Sequence, residues 1–204
     1  MKIGWISGWG ISLEEMRPLA LSHAPDAEHL IYPPVMGAAE NLVNCDKVIG
    51  WSLGAHLILE AASRGVKLPT RALLIAPFTS FCSEHGKCGK VSETQVRWLS
   101  RMIKTDLPNA LIDFRTRAEI KLSHVSETPY ELENLVKGLE ILSQPAGISL
   151  ISFCRQGLPS GWEAYVGSDD LLLSPEGVCQ SITGCQIIDG IGHNLGDFFT
   201  DNIH

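Results

Sequence analysis

The sequence predicts an α/β fold, a mostly parallel sheet of about six strands with helices on both faces and an inserted helical segment. Three observations predict it. Short apolar runs alternate with helical patterns, helix start signals stand between them, and one long central stretch contains helical patterns alone. The expected strands cover residues 2–7, 29–32, 47–51, 72–76, 164–167 and 186–189.

Polar residues mark where several helices should begin. In a capping box, a serine or threonine and an acidic or amide residue three positions later bond each other's backbone N–H groups. A serine followed by proline is a second start signal, because proline fits the first helical position. The capping-box pairs are Ser12 with Glu15, Ser92 with Gln95 and Thr128 with Glu131, and the serine–proline signal is Ser174 with Pro175.

The alternation stops between residues 79 and 144, where three apolar stripes at helical spacing replace any strand pattern. An all-helical insertion between two strands of such a sheet is typical of a lid. We therefore expect a single domain over residues 1–204 with a helical lid at residues 79–144, since ~100 to 200 residues is an ordinary domain size. Residues 144–162, rich in Gly, Pro and Ser around a short apolar run, give no assignable pattern.

The composition excludes several classes of protein. A net charge of −7 argues against a nucleic-acid partner, and no apolar run approaches the roughly 20 residues of a membrane span. We expect a cytoplasmic protein, because the N-terminus leads directly into a strand without a secretory signal and the cysteines form no C-x-x-C pair. No metal or other cofactor is expected, since the one Cys/His cluster, Cys82, His85 and Cys88, has poor spacing for zinc.

The most informative segment is residues 50–54, Gly-Trp-Ser-Leu-Gly, with an apolar run before it and a helical pattern after it. That context is typical of a nucleophile elbow, a sharp strand-to-helix turn that exposes a serine hydroxyl. Gly50 and Gly54 are expected where side chains would collide with neighbouring backbone. The motif leaves Trp51 and Leu53 free to vary. The segment predicts Ser52 as a nucleophile.

A nucleophilic serine needs a base and a carboxylate that orients the base, in the chain order Ser, Asp, His of an α/β-hydrolase fold. Catalytic groups in such a sheet lie at the carboxyl ends of the strands. Asp169 and Asp170 follow the strand at residues 164–167, and His193 follows the strand at residues 186–189. We predict His193 as the general base and Asp170 as the orienting acid, with Asp169 as the alternative.

The oxyanion that develops during attack on a carbonyl needs backbone N–H donors. One should belong to Leu53, directly after the nucleophile, and the second to the turn after the first strand, Ser7-Gly8-Trp9-Gly10. We predict the N–H of Trp9 as the second donor, because the flanking glycines let the backbone bend toward the site. A tight glycine turn with a packed tryptophan would produce the same sequence.

These motifs resemble those of the carboxylesterases of biotin synthesis that cleave the methyl ester of pimeloyl-acyl-carrier protein, α/β-hydrolases with a helical lid. The similar stretches are residues 8–10, 50–54 and 138–142, and Asp170 and His193 stand where that family has its acid and base. The resemblance implies that the pimeloyl group acylates Ser52, methanol leaves, and water releases the acid. Ser7 departs from the family, which usually has histidine there.

The central insert is locally basic, with eight basic against four acidic residues between Lys87 and Lys121. Acyl-carrier proteins are acidic, so the resemblance implies that a basic lid face docks such a partner. Positions 97, 101 and 104 have the spacing of one helix face, away from the apolar stripe. The predicted carrier-binding residues are Arg97, Arg101, Lys104 and Arg115, although a solvated helix face would show the same spacing.

The favoured prediction is a serine carboxylesterase that acts on a small or carrier-bound acyl ester, with the pimeloyl-carrier methyl ester first. A general short-chain esterase or thioesterase, or transfer of the acyl group to an acceptor other than water, fits the same residues. A non-catalytic binding protein of this fold is a rival from another class. The intact Ser, Asp, His order counts against it.

Overall fold

The computed structural model describes residues 1–121 and 128–201. Six strands in this part of the chain form a single parallel sheet, each within two residues of its expected position. They are β1 (Lys2–Ile6), β2 (Glu28–Tyr32), β3 (Lys47–Trp51), β4 (Ala72–Ile75), β5 (Trp162–Gly167) and β6 (Cys185–Ile188), and they pair in the order β2-β1-β3-β4-β5-β6. The predicted parallel sheet is confirmed.

Helices connect these strands, together with one 3₁₀ turn at Ala39–Leu42. None of the described helices has the length and apolarity needed to cross a membrane. The α-helices are α1 (Leu13–His23), α2 (Leu53–Ser63), α3 (Glu93–Thr105), α4 (Leu107–Arg117), α5 (Leu132–Leu142), α6 (Ile148–Gln156), α7 (Pro175–Ser181) and α8 (Leu195–Asp201).

The helices cover both faces of the sheet, as predicted. The connection from β1 to β2 contains α1 and moves toward one edge of the sheet, and the connection from β3 to β4 contains α2 and moves toward the other edge. Right-handed crossovers therefore put α1 and α2 on opposite faces. Contacts between helices agree with this assignment, because on the α2 face α2 packs against α6 and α6 packs against α7. On the other face, the ring of Phe199 in α8 lies 6.0 Å from that of Trp5 and 4.4 Å from that of His23.

The strand order reverses between β1 and β3, which lie side by side with Ile6 opposite Gly50. In an open parallel sheet, the crevice beyond the carboxyl ends at this reversal is where ligands bind. The turn at residues 7–10 follows β1, and the turn at residues 50–54 follows β3. The topology therefore brings the predicted oxyanion turn and the predicted elbow to the same point of the sheet edge.

Three of the helices, α3, α4 and α5, lie in the chain between β4 and β5, where the lid was predicted, and α3 packs against both of the others. The apolar stripe of α3, formed by Val96, Leu99 and Ile103, is buried. The stretch without an assignable pattern holds α6, whose buried residues are only Leu150 and Cys154. Too few apolar positions mark its buried face for the periodicity to be recognised.

Three of the four predicted helix start signals are right. Ser12 and Ser92 form complete capping boxes, and Ser174 accepts the N–H of Gly177 at the start of α7. The box at Thr128 is wrong, because α5 begins only after Glu131, which makes no side-chain cap. The segment before α5 instead carries Tyr130 to a contact with residue 10, and this tertiary contact overrides the local signal.

Candidate active site

Ser52 lies at the turn between β3 and α2 with φ 54° and ψ −117°, a strained conformation for a residue that has a Cβ. The two motif glycines make the turn possible. A Cβ on Gly50 would lie 2.7 Å from the Cα of Ala55, and one on Gly54 would collide with the carbonyl oxygen of Ile6. The Ser52 side chain makes no cap bond to α2, so its hydroxyl is available to a neighbouring base.

The structure brings the three predicted side chains together. The Ser52 Oγ is 3.0 Å from the Nε2 of His193, and the His193 Nδ1 is 2.7 Å from the Oδ2 of Asp170. His193 and Asp170 are 2% and 0% exposed, so this chain of hydrogen bonds is shielded from water. Asp169 is exposed and accepts a hydrogen bond from Ser168 instead. Asp170, rather than Asp169, is therefore the carboxylate that meets the histidine.

Backbone donors hold the Asp170 carboxylate in one orientation. Its Oδ1 accepts the N–H groups of Leu172 and Leu173 at 2.8 and 2.9 Å, which leaves Oδ2 for the imidazole. Burial raises the pKa of Asp170, but His193 and the two backbone donors outweigh burial, and the pKa lies below its usual value. Ionised Asp170 accepts Nδ1–H, so the His193 tautomer turns the lone pair of Nε2 toward Ser52.

Two residues without a predicted catalytic role support this arrangement. The Lys90 ammonium donates to the backbone carbonyl of Asp170 at 2.6 Å. The indole N–H of Trp51 donates to the backbone carbonyl of His193 at 2.9 Å. Trp51 therefore connects the elbow to the loop of the histidine.

The N–H groups predicted for the oxyanion hole, those of Trp9 and Leu53, make no hydrogen bond to another described residue. For Leu53 this is expected, because the first N–H groups of a helix have no partner within it. The neighbouring N–H of Gly10 is already bonded to the hydroxyl of Tyr130 at 3.0 Å. Within the turn at residues 7–10, Trp9 thus has an N–H left for a ligand.

The prediction that Arg115 belongs to an exposed basic surface is wrong. Arg115 is 5% exposed and forms an ion pair of 2.9 Å with Glu15 of α1. Its Nη2 also donates to the carbonyl oxygen of Gly10 at 2.6 Å. Position 115 lies on the apolar stripe of α4 with Leu111 and Ala118, at i, i+4 and i+7, so its side chain points inward.

The other three predicted carrier-binding residues are exposed along α3. Arg97 pairs with Glu93 at 3.1 Å, whereas Arg101 and Lys104 form no ion pair with a described residue. Trp98, beside them, is 46% exposed and also lines a cavity. The basic face of α3 therefore lies next to a residue of the cavity wall.

The cavity has a volume of about 420 Å³ and lies among α3, α4 and α5. Ser52 is not part of its wall, but the wall continues into the site. Phe114 lines the cavity and packs edge-on against the Trp9 ring at 4.8 Å, and Leu172 lines it while donating to Asp170. Aromatic and aliphatic side chains dominate the wall, so the space suits an apolar group of several carbons.

Cys82 and Cys88 belong to the cluster at which no metal was expected. Their sulfurs have different hydrogen-bond partners. The Cys82 thiol donates to the carbonyl of Leu142, and the Cys88 thiol to that of Gly177. Within residues 1–121 and 128–201, no group of three or more His, Cys, Asp or Glu side chains could hold a metal ion.

No family model and no curated protein matches the sequence, but many solved structures match the fold. A thermophilic esterase from Thermogutta terrifontis has 14% identity and a TM-score of 0.63, over 95% of this chain and 82% of its own. The protein has the α/β-hydrolase fold. A hydrolase from Oleispira antarctica, also at 14% and 0.63, covers 98% and 86% of the two chains. BioG from Haemophilus influenzae has 14% identity and a TM-score of 0.54, over 98% and 91%.

Proposed function

We propose that the protein is a serine carboxylesterase that hydrolyses an acyl ester through an acyl-enzyme on Ser52. The observation that carries the proposal is the hydrogen-bonded chain from Ser52 through His193 to Asp170, which ends on a serine held at a strained elbow. A base oriented by a carboxylate is what a serine hydroxyl needs to become a nucleophile.

In the proposed reaction, the His193 Nε2 takes the proton of Ser52 while Oγ attacks the ester carbonyl. The N–H groups of Trp9 and Leu53 then stabilise the oxyanion, and Asp170 stabilises the imidazolium. His193 returns the proton to the leaving alkoxide, which departs as an alcohol. Water, activated by the same imidazole, attacks the acyl group and releases the acid with Ser52 restored.

We further propose the methyl ester of a carrier-bound pimeloyl group as the substrate. The motifs at residues 8–10, 50–54 and 138–142 support this choice, and the cavity of about 420 Å³ accommodates an acyl chain rather than acetyl alone. The solved structures of similar fold include a thermophilic esterase, in agreement with ester hydrolysis. A general short-chain esterase would use the same residues.

A panel of esters tests the proposed function. Native protein is expected to hydrolyse p-nitrophenyl esters and carrier-bound pimeloyl methyl ester, with the higher kcat/KM for the carrier-bound substrate, and the Ser52→Ala variant should be inactive on all of them. A higher kcat/KM for p-nitrophenyl acetate would favour a general esterase. Inactivity of the native protein on every ester would favour a binding protein of this fold.

Charge reversal on α3 tests the carrier as partner. The double variant Arg97→Glu, Arg101→Glu is expected to raise KM for the carrier-bound ester at least tenfold, because exposed charges steer and orient an acidic partner, and to leave a p-nitrophenyl ester unaffected. A matched control is the double variant Lys67→Glu, Arg71→Glu. Both residues are exposed and precede β4, so they lie at the amino ends of the strands, away from the elbow. Equal effects of the two double variants would reject the docking role.

A further inference from the structure

We propose that the lid helices set the geometry of the oxyanion hole, with Tyr130 and Arg115 as positioning residues that hold the backbone at Trp9 and Gly10. The inference rests on the proposed serine hydrolase function, and it gives a role to two residues that the reaction itself does not use.

Both backbone polar groups of Gly10 bond to side chains from the insertion. The Gly10 N–H donates to the Tyr130 hydroxyl at 3.0 Å, and the Gly10 carbonyl accepts from Arg115 at 2.6 Å. The N–H belongs to the peptide plane that joins Trp9 to Gly10, and the carbonyl belongs to the next plane along the chain. The two contacts together fix the backbone immediately after the proposed donor.

The Trp9 side chain is fixed by the same insertion. Its indole N–H donates to the carbonyl of Leu135 in α5 at 2.9 Å, and its ring packs edge-on against Phe114 of α4. Gly138 allows this close approach, because a Cβ there would lie 2.7 Å from the indole ring. With side chain and following peptide both held, the Trp9 N–H keeps one direction.

Arg115 is itself anchored to the helix that follows the turn. Its partner Glu15 accepts the backbone N–H of Ser12 at 2.6 Å as part of the α1 capping box. The Nε and Nη1 of Arg115 are buried without a hydrogen-bond partner among the described residues. Burial of unsatisfied N–H groups opposes folding and offsets part of what the ion pair with Glu15 contributes. The bond to the Gly10 carbonyl gives the same side chain a second role.

Oxyanion stabilisation depends on donors fixed in advance, and removing one such donor lowers kcat about 10²- to 10³-fold. Loss of the Tyr130 hydroxyl would not remove the Trp9 donor, but it would let the adjoining peptide plane turn. We therefore expect Tyr130→Phe to lower kcat about 10- to 100-fold and to change KM less than twofold, because the cavity wall is made by other residues.

The test compares Tyr130→Phe with the control Tyr165→Phe. The Tyr165 hydroxyl donates to the carboxylate of Glu163, an exposed residue of β5. kcat is measured with p-nitrophenyl butyrate and expressed per Ser52 titrated by a fluorophosphonate. A second measurement is the Ki of a trifluoromethyl ketone, which forms an oxyanion on the serine, against that of the matching methyl ketone. In Tyr130→Phe the first Ki should rise with the loss in kcat/KM and the second should not.

The outcomes separate this inference from the function beneath it. A kcat per titrated site within twofold of the native value, or equal weakening of both ketones, would overturn the positioning role while leaving the hydrolase intact. A native protein that neither takes the fluorophosphonate nor hydrolyses the ester would overturn the proposed function, and the inference with it.

Discussion

Replacing Asp170 with asparagine is expected to lower kcat about 10⁴-fold with little change in KM. The backbone N–H groups of Leu172 and Leu173 require an acceptor at the Oδ1 position. The amide oxygen of the variant must therefore stay there, and its NH₂ group must face His193. Nδ1 would then accept a hydrogen bond, the imidazole proton would move to Nε2, and Nε2 could no longer take the proton of Ser52.

Asp169→Asn is the matched control, because Asp169 is the exposed neighbour with the same side chain. Its kcat should remain within twofold of the native value in a p-nitrophenyl ester assay. A large loss of kcat in Asp169→Asn together with a near-native Asp170→Asn would mean that the wrong carboxylate has been assigned to the imidazole.

Replacing Arg115 with methionine is expected to lower the free energy of unfolding by about 3–5 kcal/mol, because it breaks the buried ion pair between Arg115 and Glu15. For a chain of this length, such a loss corresponds to a fall in Tm of roughly 6 to 20 °C. Urea denaturation followed by tryptophan fluorescence measures the change. A loss below about 1 kcal/mol, the usual range of an exposed pair, would contradict the burial of Arg115.

The contrast with a nearby pair makes this test specific. Arg117 also pairs with an acidic residue, Asp113 at 2.9 Å, but its side chain is 59% exposed. Arg117→Met should therefore cost about 0.5 kcal/mol or less. Adding Glu15→Gln to Arg115→Met should recover part of the lost stability, since glutamine keeps the capping box and removes the buried carboxylate charge that Arg115 paired.

The sheet and the three hydrogen-bonded catalytic side chains could be predicted because short local sequence patterns indicate both. Apolar runs located all six described strands, and the motif at residues 50–54 located the elbow. Parallel topology then required that residues following different strands meet at one edge. Strand position alone could not separate Asp169 from Asp170, because which of two adjacent carboxylates turns inward depends on the loop that follows.

The local excess of basic residues predicts an exposed Arg115, whereas the helical periodicity around it predicts a buried one. Leu111, Arg115 and Ala118 share one face of α4, and that signal was present in the sequence. No comparable signal exists for Tyr130, whose contact with Gly10 joins residues 120 positions apart. The same holds for Trp51 and His193, 142 positions apart. Contacts of this kind depend on tertiary packing and leave no periodic trace.

Whether Ser52 is the nucleophile is tested by the mass of the intact protein after a brief incubation with carrier-bound pimeloyl methyl ester, quenched in acid. We expect the native protein to gain the mass of one acyl group, mapped by peptide digestion to Ser52, and the Ser52→Ala variant to gain none. An adduct that persists in Ser52→Ala, or that maps to another residue of the native protein, would contradict the central claim that this hydroxyl is the nucleophile.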